Sequence, residues 1–479
     1  MTASQGRSKI AVIGGGLTGL ATAHRLLAID SQLEVTVFEA RQHCGGHIAT
    51  QTQPGFLIER GADSFITNKP AAVELCRELG IEDQLIPTND TFRRSLVLRN
   101  GRPTPVPSGF SLLTPTELGP IFRSSLFSLR GKLRIAAEQI VSRTKSTEEE
   151  SLASFVKRRF GCEAFERLVQ PLVGGIYTAD PDRLSLAATL PRFIQMEKQH
   201  GSLIKASRIK ARTAAADQKA TGARYGLFAT FRNGFSQLFS ALRDNIQSKG
   251  GTIETRCPVK SLRRADSGWD VETATGCQRF DGVIITTATH AASRLLNSVD
   301  RQLASALDQI EYASTAVVVT AHPVEHVSHP ADAFGLVIPA IEKRRILAVS
   351  FSSRKFPGRA PDGQLLMRTF VGGATQPQML KHSDDELVSI VREELNHILG
   401  VSGEPTLSLV TRYDKAMPQY HIGHVGRVTA IEASAASIPG LELAGSAYHG
   451  VGIPDCIASG QAAARRVLAA DGLHGTVDS

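Results

Sequence analysis

Three glycines, Gly14, Gly16 and Gly19, follow the apolar run Lys9 to Ile13 and open a stretch, Leu17 to Ala28, whose apolar residues recur at helical spacing. Glycines at this spacing suit one kind of chemistry, the close approach of a backbone to a diphosphate. Glycine permits the tight turn, and the helix N-terminus turns unpaired N–H groups and a positive dipole end toward the anion. Glu39 completes the pattern. It follows Gly19 by about 20 residues, the spacing of an acidic group that binds a ribose hydroxyl, and it ends a second strand-like run that starts at Leu33. The chain therefore opens with a βαβ unit expected to hold a dinucleotide. No nucleophile triad, His-Glu-x-x-His pair or matched carboxylate pair stands out, so the hard chemical step is expected from a cofactor.

Other elements must close this site. Leu441 to Ala444 reads as a strand ending at Gly445, and Gly450 to Asp455 leads into a helix from Pro454 to Leu468, with Pro454 suited to a first turn. Thr252 to Arg256, Trp269 to Thr273 and Gly282 to Thr287 are expected as further strands of the same sheet. The class is α/β, with a discontinuous Rossmann-like domain made of 1–78, 224–298 and 428–479. Two inserted lobes remain. Residues 79–223 are helix-rich, and 299–427 form an α/β lobe with strands at Thr315 to Ala321, Ile346 to Phe351 and Leu365 to Val371. The polar runs Ser142 to Ser151 and Lys205 to Arg224 read as solvated loops.

Bulk properties exclude several classes. The 479 residues are 42% hydrophobic and 21% charged, which is too large for one core and too apolar for a disordered chain. Six scattered cysteines without a Cys-x-x-Cys pair do not form a disulfide framework, so a reducing, cytoplasmic setting is expected. No apolar run approaches the ~20 residues that span a bilayer, and the start of the chain lacks the apolar core of a signal peptide. A net charge of +8 fits an anionic membrane face, an acidic substrate or equally a plain solubilising surface, and is not read as a nucleic-acid footprint.

Glu39-Ala40-Arg41 runs into Cys44-Gly45-Gly46-His47, and this segment resembles the E-x-R-x-x-x-G-G signature of glutathione-reductase-type flavoproteins. The resemblance implies non-covalent FAD. More specific stretches follow: Gly61-Ala62-Asp63-Ser64-Phe65, Pro171 to Tyr177 with Asp180-Pro181 and Leu184 to Leu186, Phe231 to Gly234, Ala416 to Tyr420 with Gly423-His424, and Gly450 to Cys456. Over nearly its full length the chain resembles the amine-oxidase-like flavoproteins, and within them the oxygen-dependent porphyrinogen oxidases. Matched position by position, the resemblance implies FAD contacts at Gly14, Gly15, Gly16, Leu17, Thr18, Gly19, Glu39, Ala40, Gly45, Gly46, Gly61, Ala62, Asp63, Ser64, Val259, Gly445, Ile453, Pro454 and Asp455. It also implies that Arg94 pairs with a substrate propionate and that the Gly175 carbonyl faces the macrocycle. Two departures stand out: Gly61-Ala62-Asp63 replaces the family's Gly-Pro-Arg or Gly-Pro-Asn, and His47 replaces its arginine.

The implied reaction is oxidation of protoporphyrinogen IX, with coproporphyrinogen III as the alternative. Oxygen takes the electrons and leaves as hydrogen peroxide, and a homodimer is the family's expectation. No catalytic base is named. Leu118, Ile121, Phe122, Leu126, Leu129 and Leu133 fall at helical spacing with Arg123, Arg130 and Arg134 on another face. They read either as a helix packed on its own core or as a peripheral membrane face. A flavin amine oxidase would need an aromatic cage, for which Tyr448 offers one half; a carotenoid desaturase and a flavin-free binding protein are further alternatives.

Overall fold

The computed structural model describes residues 7–111, 113–144, 146, 148–210 and 227–470. Its first layer is a five-stranded, wholly parallel sheet with the order Thr252–Glu254, Glu34–Phe38, Lys9–Ile13, Gly282–Ile285 and Leu441–Leu443. The two earliest strands sit at its centre, and later strands add on either side. Order therefore reverses beside Lys9–Ile13, the point where open α/β sheets bind ligands. Alternation along that strand divides the core. Ile10 and Val12 join a cluster with the helix Leu17–Ile29 and the C-terminal helix Ile453–Ala470, while Ala11 and Ile13 join Trp269, Leu296 and Ile431 on the other face.

Thr252–Glu254 and Gly282–Ile285 lie in the sheet as expected. Trp269–Glu272 does not: it is the middle strand of a separate antiparallel ribbon with Ser261–Arg264 and Cys277–Phe280. Its alternating burial, with Trp269 and Val271 inward, is that of a half-covered antiparallel strand, whereas Gly282–Ile285 is buried throughout.

A second, seven-stranded sheet has the order Leu407–Pro418, Tyr312–Pro323, Gln364–Gly372, Ala348–Phe351, Gly335–Val337, Ser95–Arg99 and Arg102–Pro105. Residues 95–105, read from the sequence as part of a helix-rich stretch, are its last two strands, and Ser95–Arg99 pairs in parallel with Gly335–Val337. One face packs on the helix Asp384–Leu399, whose start is fixed by a reciprocal capping box between Ser383 and Glu386. The opposite face, with Val317, Val319 and Leu366, packs on Ile58 of the N-terminal segment.

The helices Leu129–Ala136, Leu152–Phe160, Gln170–Tyr177 and Pro191–His200 surround a third cluster that includes Phe155, Leu168 and Tyr420. The apolar stripe starting at Leu118 is split between two short helices, Gly119–Arg123 and Leu129–Ala136. Ile121 and Leu126 are buried in this cluster, whereas Phe122, Leu129 and Leu133 are exposed. Arg134 is not a surface cation: it donates to the carbonyls of Arg158 and Arg159. The acidic end of the Ser142 to Ser151 run is also tied down, since Glu150 receives Arg158 at 2.8 Å and Glu149 receives the Gly423 amide at 2.6 Å. Of the basic run from Lys205 to Arg224, residues 211–224 lie outside the described residues and 205–210 are helical. Among the described residues no helix is long and apolar enough to cross a membrane.

Candidate cofactor and substrate site

The turn between Lys9–Ile13 and Leu17–Ile29 is built for backbone approach. A Cβ on Gly19 would lie 1.8 Å from the Gly14 carbonyl oxygen, so no side chain fits there. The Glu39 carboxylate accepts from the amides of Gly15 and Arg41, both at 2.8 Å, which draws the end of the second strand against the turn. Thr286 closes the other side, donating to the carbonyls of Ile13 and Gly14 at 3.0 Å. The helix that starts after Gly16 has no side-chain cap and no acidic residue in its first turn. Its leading N–H groups, including those of Leu17 and Thr18, are left for an anion.

The second glycine pair faces this turn. Gly16 bridges to Gly45, the Gly45 amide donates to the Gly15 carbonyl at 2.9 Å, and a Cβ on Gly46 would sit 3.3 Å from the Gly16 Cα. Two glycine segments thus lie backbone against backbone. Ala40 is exposed beside Glu39, and the Cys257 amide reaches the Glu39 carbonyl at 2.9 Å, which brings Val259 to the same end. From the far side, the Gly445 amide donates to Ser459 of the C-terminal helix at 3.0 Å. That helix starts at Ile453 with Pro454 in its first turn, and Asp455 pairs with Lys69 at 2.6 Å. Gly460 packs so closely on the fingerprint helix that a Cβ would meet the Thr18 carbonyl oxygen at 2.6 Å.

Gly61, Ala62, Asp63 and Ser64 form the next segment, and it is held by side chains that sequence reading did not select. Asp63 accepts from Lys355 at 2.8 Å and Arg368 at 3.1 Å, Lys355 also donates to Ser64 at 2.8 Å, and Arg368 donates to the Gly61 carbonyl. Burial pushes the Asp63 carboxyl up, but Lys355 and Arg368 outweigh it and hold the group well below the usual carboxylate range. One signal was available: Arg368 interrupts the apolar strand Gln364–Gly372 and is 3% exposed. A charge inside a buried strand requires a partner.

The family-specific stretches meet around the helix Gln170–Tyr177. The turn Phe165–Val169 before it is a π-turn, a local form that often marks functional sites. Gly175 lies in the last turn, where carbonyls lack intrahelical amides, beside Val337 of the seven-stranded sheet. Ser185 donates its amide to the Tyr420 carbonyl at 2.8 Å, and Leu184 bridges to His421. Tyr420 stacks on His424 with ring centroids 4.0 Å apart, and its hydroxyl donates to the Ser446 carbonyl at 2.5 Å, just before the Gly450 to Asp455 segment. Gln419 donates to the Tyr177 carbonyl at 3.3 Å. A cavity of about 430 Å³ opens beside Gln419 and is lined in part by Arg183, Lys381 and His421.

Arg94 stands at the start of Ser95–Arg99, on the strand next to Val337. Its guanidinium is half-exposed and held by Asp332, with Nε on the backbone carbonyl at 2.6 Å and Nη2 on the carboxylate. Tyr448 is not a cage residue. It is 4% exposed and sits in the cluster of Val428, Ile431 and Leu443.

The family model for flavin containing amine oxidoreductases matches residues 17–468. The chain belongs to that family. Within it, the chain is similar to the coproporphyrinogen III oxidase of Bacillus subtilis (strain 168), at 36% identity over 97% of this chain and 99% of that protein. It is also 30% identical to the mitochondrial protoporphyrinogen oxidase of Nicotiana tabacum, over 96% of this chain and 94% of the relative. A solved structure from Exiguobacterium sp. 255-15, provisionally named a protoporphyrinogen oxidase, superposes with a TM-score of 0.86 at 28% identity, covering 96% of this chain and 98% of that one. The chain is thus a flavoprotein of the porphyrinogen-oxidising branch, with FAD as its cofactor. The residues present fit FAD: the two glycine segments leave backbone free of side chains, the helix start is uncapped, and the Glu39 carboxylate is held at the turn by the Gly15 amide.

Proposed function

We propose that this family member oxidises coproporphyrinogen III to coproporphyrin III in haem biosynthesis, passing the electrons to oxygen and releasing hydrogen peroxide. The carrying observation is the 36% identity, over 97% of the chain, to a coproporphyrinogen III oxidase. The mitochondrial protoporphyrinogen oxidase of Nicotiana tabacum stands at 30%. That order reverses the preference for protoporphyrinogen IX reached from the sequence. Four propionates instead of two require more cations around the macrocycle. Arg94 at one place, and Arg183 and Lys381 at the cavity beside Gln419, are candidates to meet them.

FAD, when bound, supplies the two-electron acceptor for a hydride leaving a meso carbon. The contacts implied above at Gly14 to Gly19, Glu39, Ala40, Gly45, Gly46, Gly61 to Ser64, Val259, Gly445 and Ile453 to Asp455 would hold it. The remaining work falls to binding and orientation. Arg94 forks a propionate in exchange for the Asp332 carboxylate, so its charge stays paired throughout. The free carbonyl end of Gln170–Tyr177 at Gly175 accepts from the pyrrole N–H groups. Packing of this helix against the sheet at Val337 would shield the macrocycle from bulk water and hold its meso carbon for transfer. Protons lost from the pyrroles pass to water or backbone groups, and no side chain is assigned as base.

The test is a side-by-side fluorescence assay of both porphyrinogens on the purified holoenzyme, with amines as controls. A kcat/KM at least tenfold higher for coproporphyrinogen III is expected, and the reverse ratio overturns the assignment. We also propose a peripheral membrane contact through exposed Phe122, Leu129, Leu133 and Ile140 next to Arg123 and Arg130. Sedimentation with anionic liposomes at low salt tests it, and absence of binding removes it.

A further inference from the structure

The Gly61 to Ser64 segment is clamped by the other sheet. Lys355 ends the short helix Ser352–Lys355 and Arg368 lies mid-strand in Gln364–Gly372, 292 residues beyond Asp63 and 307 beyond Gly61 respectively. Lys355 reaches Asp63 and Ser64 while lying over the rings of Phe228 and Phe356, at 5.5 and 5.2 Å from their centroids. Arg368 spans the segment, holding the Gly61 carbonyl with one nitrogen and the Asp63 carboxylate with another. Its Nε is buried without a partner. Two cations therefore share one carboxylate, and a surplus positive charge is kept in a low-dielectric site. Arg359, whose guanidinium is taken up by the carbonyls of Phe231 and Arg232 at 2.7 and 2.9 Å, adds to the positive side. Glu59 stands on the other side, accepting from the Phe235 amide at 2.9 Å and from Thr50 at 3.0 Å.

The surplus here is positive, and Gly61 lies against the backbone of His47 and Ile48, next to the Gly45-Gly46 pair. An apolar packing or a one-to-one pair would hold the segment with less desolvation. A positive surplus suits a neighbour that becomes more negative during turnover. We propose that Lys355 and Arg368 are positioning residues for the flavin: through Asp63 and the Gly61 carbonyl they fix the Gly61 to Ser64 segment against it, and their surplus charge raises its reduction potential. This rests on the reading that Gly61 to Ser64 contact FAD. It ties the cofactor's redox poise to the seven-stranded sheet that carries Arg94, because both cations come from that sheet or its connection.

The sign of the effect separates a redox role from a merely structural one. Holoenzyme carrying Lys355→Gln or Arg368→Gln is expected to show a more negative flavin midpoint potential by dye-equilibrated titration, and at least tenfold slower flavin reduction by porphyrinogen. Asp63→Asn, which leaves two cations uncompensated, is expected to shift the potential the opposite way. Lys355→Arg is expected to restore it, and the Asp63→Asn, Lys355→Gln double variant, which removes one charge of each sign, is expected to return close to wild type. Potentials unchanged in all the single variants, with FAD bound stoichiometrically, overturn the proposal. So do shifts of one sign for Asp63→Asn and Lys355→Gln. Loss of FAD from a variant that keeps its far-UV dichroism supports the positioning half, and unfolding of every single variant counts against the redox half. Failure of the underlying reading looks different: the wild-type chain itself would bind no FAD.

Discussion

Two buried ion clusters sit in different parts of this molecule and are built on opposite plans. Among the helices, Arg159 is fully buried and is wrapped by the Glu138 carboxylate, by Glu197 at 3.3 Å and by the carbonyls of Val141 and Gly201 at 3.0 and 2.9 Å. Arg158 joins from the same helix, reaching Glu197 at 2.7 Å and Glu150 at 2.8 Å. Three carboxylates thus enclose two guanidinium groups, and Glu138 also receives Ser202 and the Leu203 amide. Beside the cofactor segment the balance is reversed, with Lys355 and Arg368 on one Asp63. The first cluster ties loops at both ends of its helices and needs nothing outside itself. Each is left one charge from neutrality, the first negative and the second positive, and the positive one lies where electrons are expected to arrive. Buried charge is costly in both, so the difference in composition points to a difference in task.

The largest effect separating them should come from Arg159→Met. Leaving Glu138 uncompensated is expected to cost about 3–5 kcal/mol of unfolding free energy, seen as a large fall in the urea midpoint, while the flavin potential of surviving holoenzyme stays at wild type. A shift in potential comparable to that of Lys355→Gln would erase the distinction.

Glu59, beside the cofactor segment, and Glu197 should respond to pH with opposite sign, whereas Asp63 shares the sign of Glu197. Burial pushes the Glu59 carboxyl up to about 7 against the opposing bonds from Phe235 and Thr50. Its folded-state affinity for a proton exceeds that of the unfolded chain, so the stability it contributes is present in acid and is lost as pH rises through about 7. Glu59→Gln should remove that alkaline loss, roughly 1–3 kcal/mol between acid and alkaline conditions. Glu197 behaves the other way. Burial pushes it up, but its bonds and charge pairing with Arg158, then Arg159, hold it below the usual range. Its contribution is present above the unfolded value and is lost as pH falls through the depressed one. Urea titrations across pH on Glu59→Gln and Glu197→Gln check both limbs, and limbs of the same sign would break the contrast.

A further acid effect belongs to neither cluster. His322 is fully buried with both ring nitrogens unpartnered, and burial lowers its pKa to about 4. Protonation as pH falls from the unfolded value toward 4 should destabilise the fold, and His322→Phe should flatten that limb by roughly 1–3 kcal/mol. The smallest stability effect is expected at the half-exposed Arg94–Asp332 pair, where Arg94→Ala should cost under about 1 kcal/mol. If Arg94 meets a propionate, the same change should raise KM for coproporphyrinogen III about tenfold with kcat nearly kept, since about 1.4 kcal/mol of ground-state binding is lost. Unchanged KM would leave Arg94 a surface ion pair and nothing more.

What could be read directly from the chain was whatever depends on local spacing. Gly14, Gly16 and Gly19 followed by Glu39 determine a strand, a turn and a helix start, because a turn with no room for Cβ and an uncapped N-terminus are properties of neighbouring residues. The run Gly282 to Thr287 was likewise read as a strand of the same sheet, and Gly282–Ile285 pairs there with Lys9–Ile13. The alternating Trp269–Glu272 strand was misplaced for the complementary reason: period alone says that one face is covered, not which sheet covers it. Residues 95–105 and the split stripe after Leu118 failed in the same way, since their partners lie far along the chain. Only the tertiary structure could bring Lys355 and Arg368 to Asp63, fold Tyr448 into the core and lay Tyr420 against Ser185. A glycine turn carries its function in its own backbone, whereas an ion cluster exists only once remote strands are in register, and no spacing rule reaches across 290 residues.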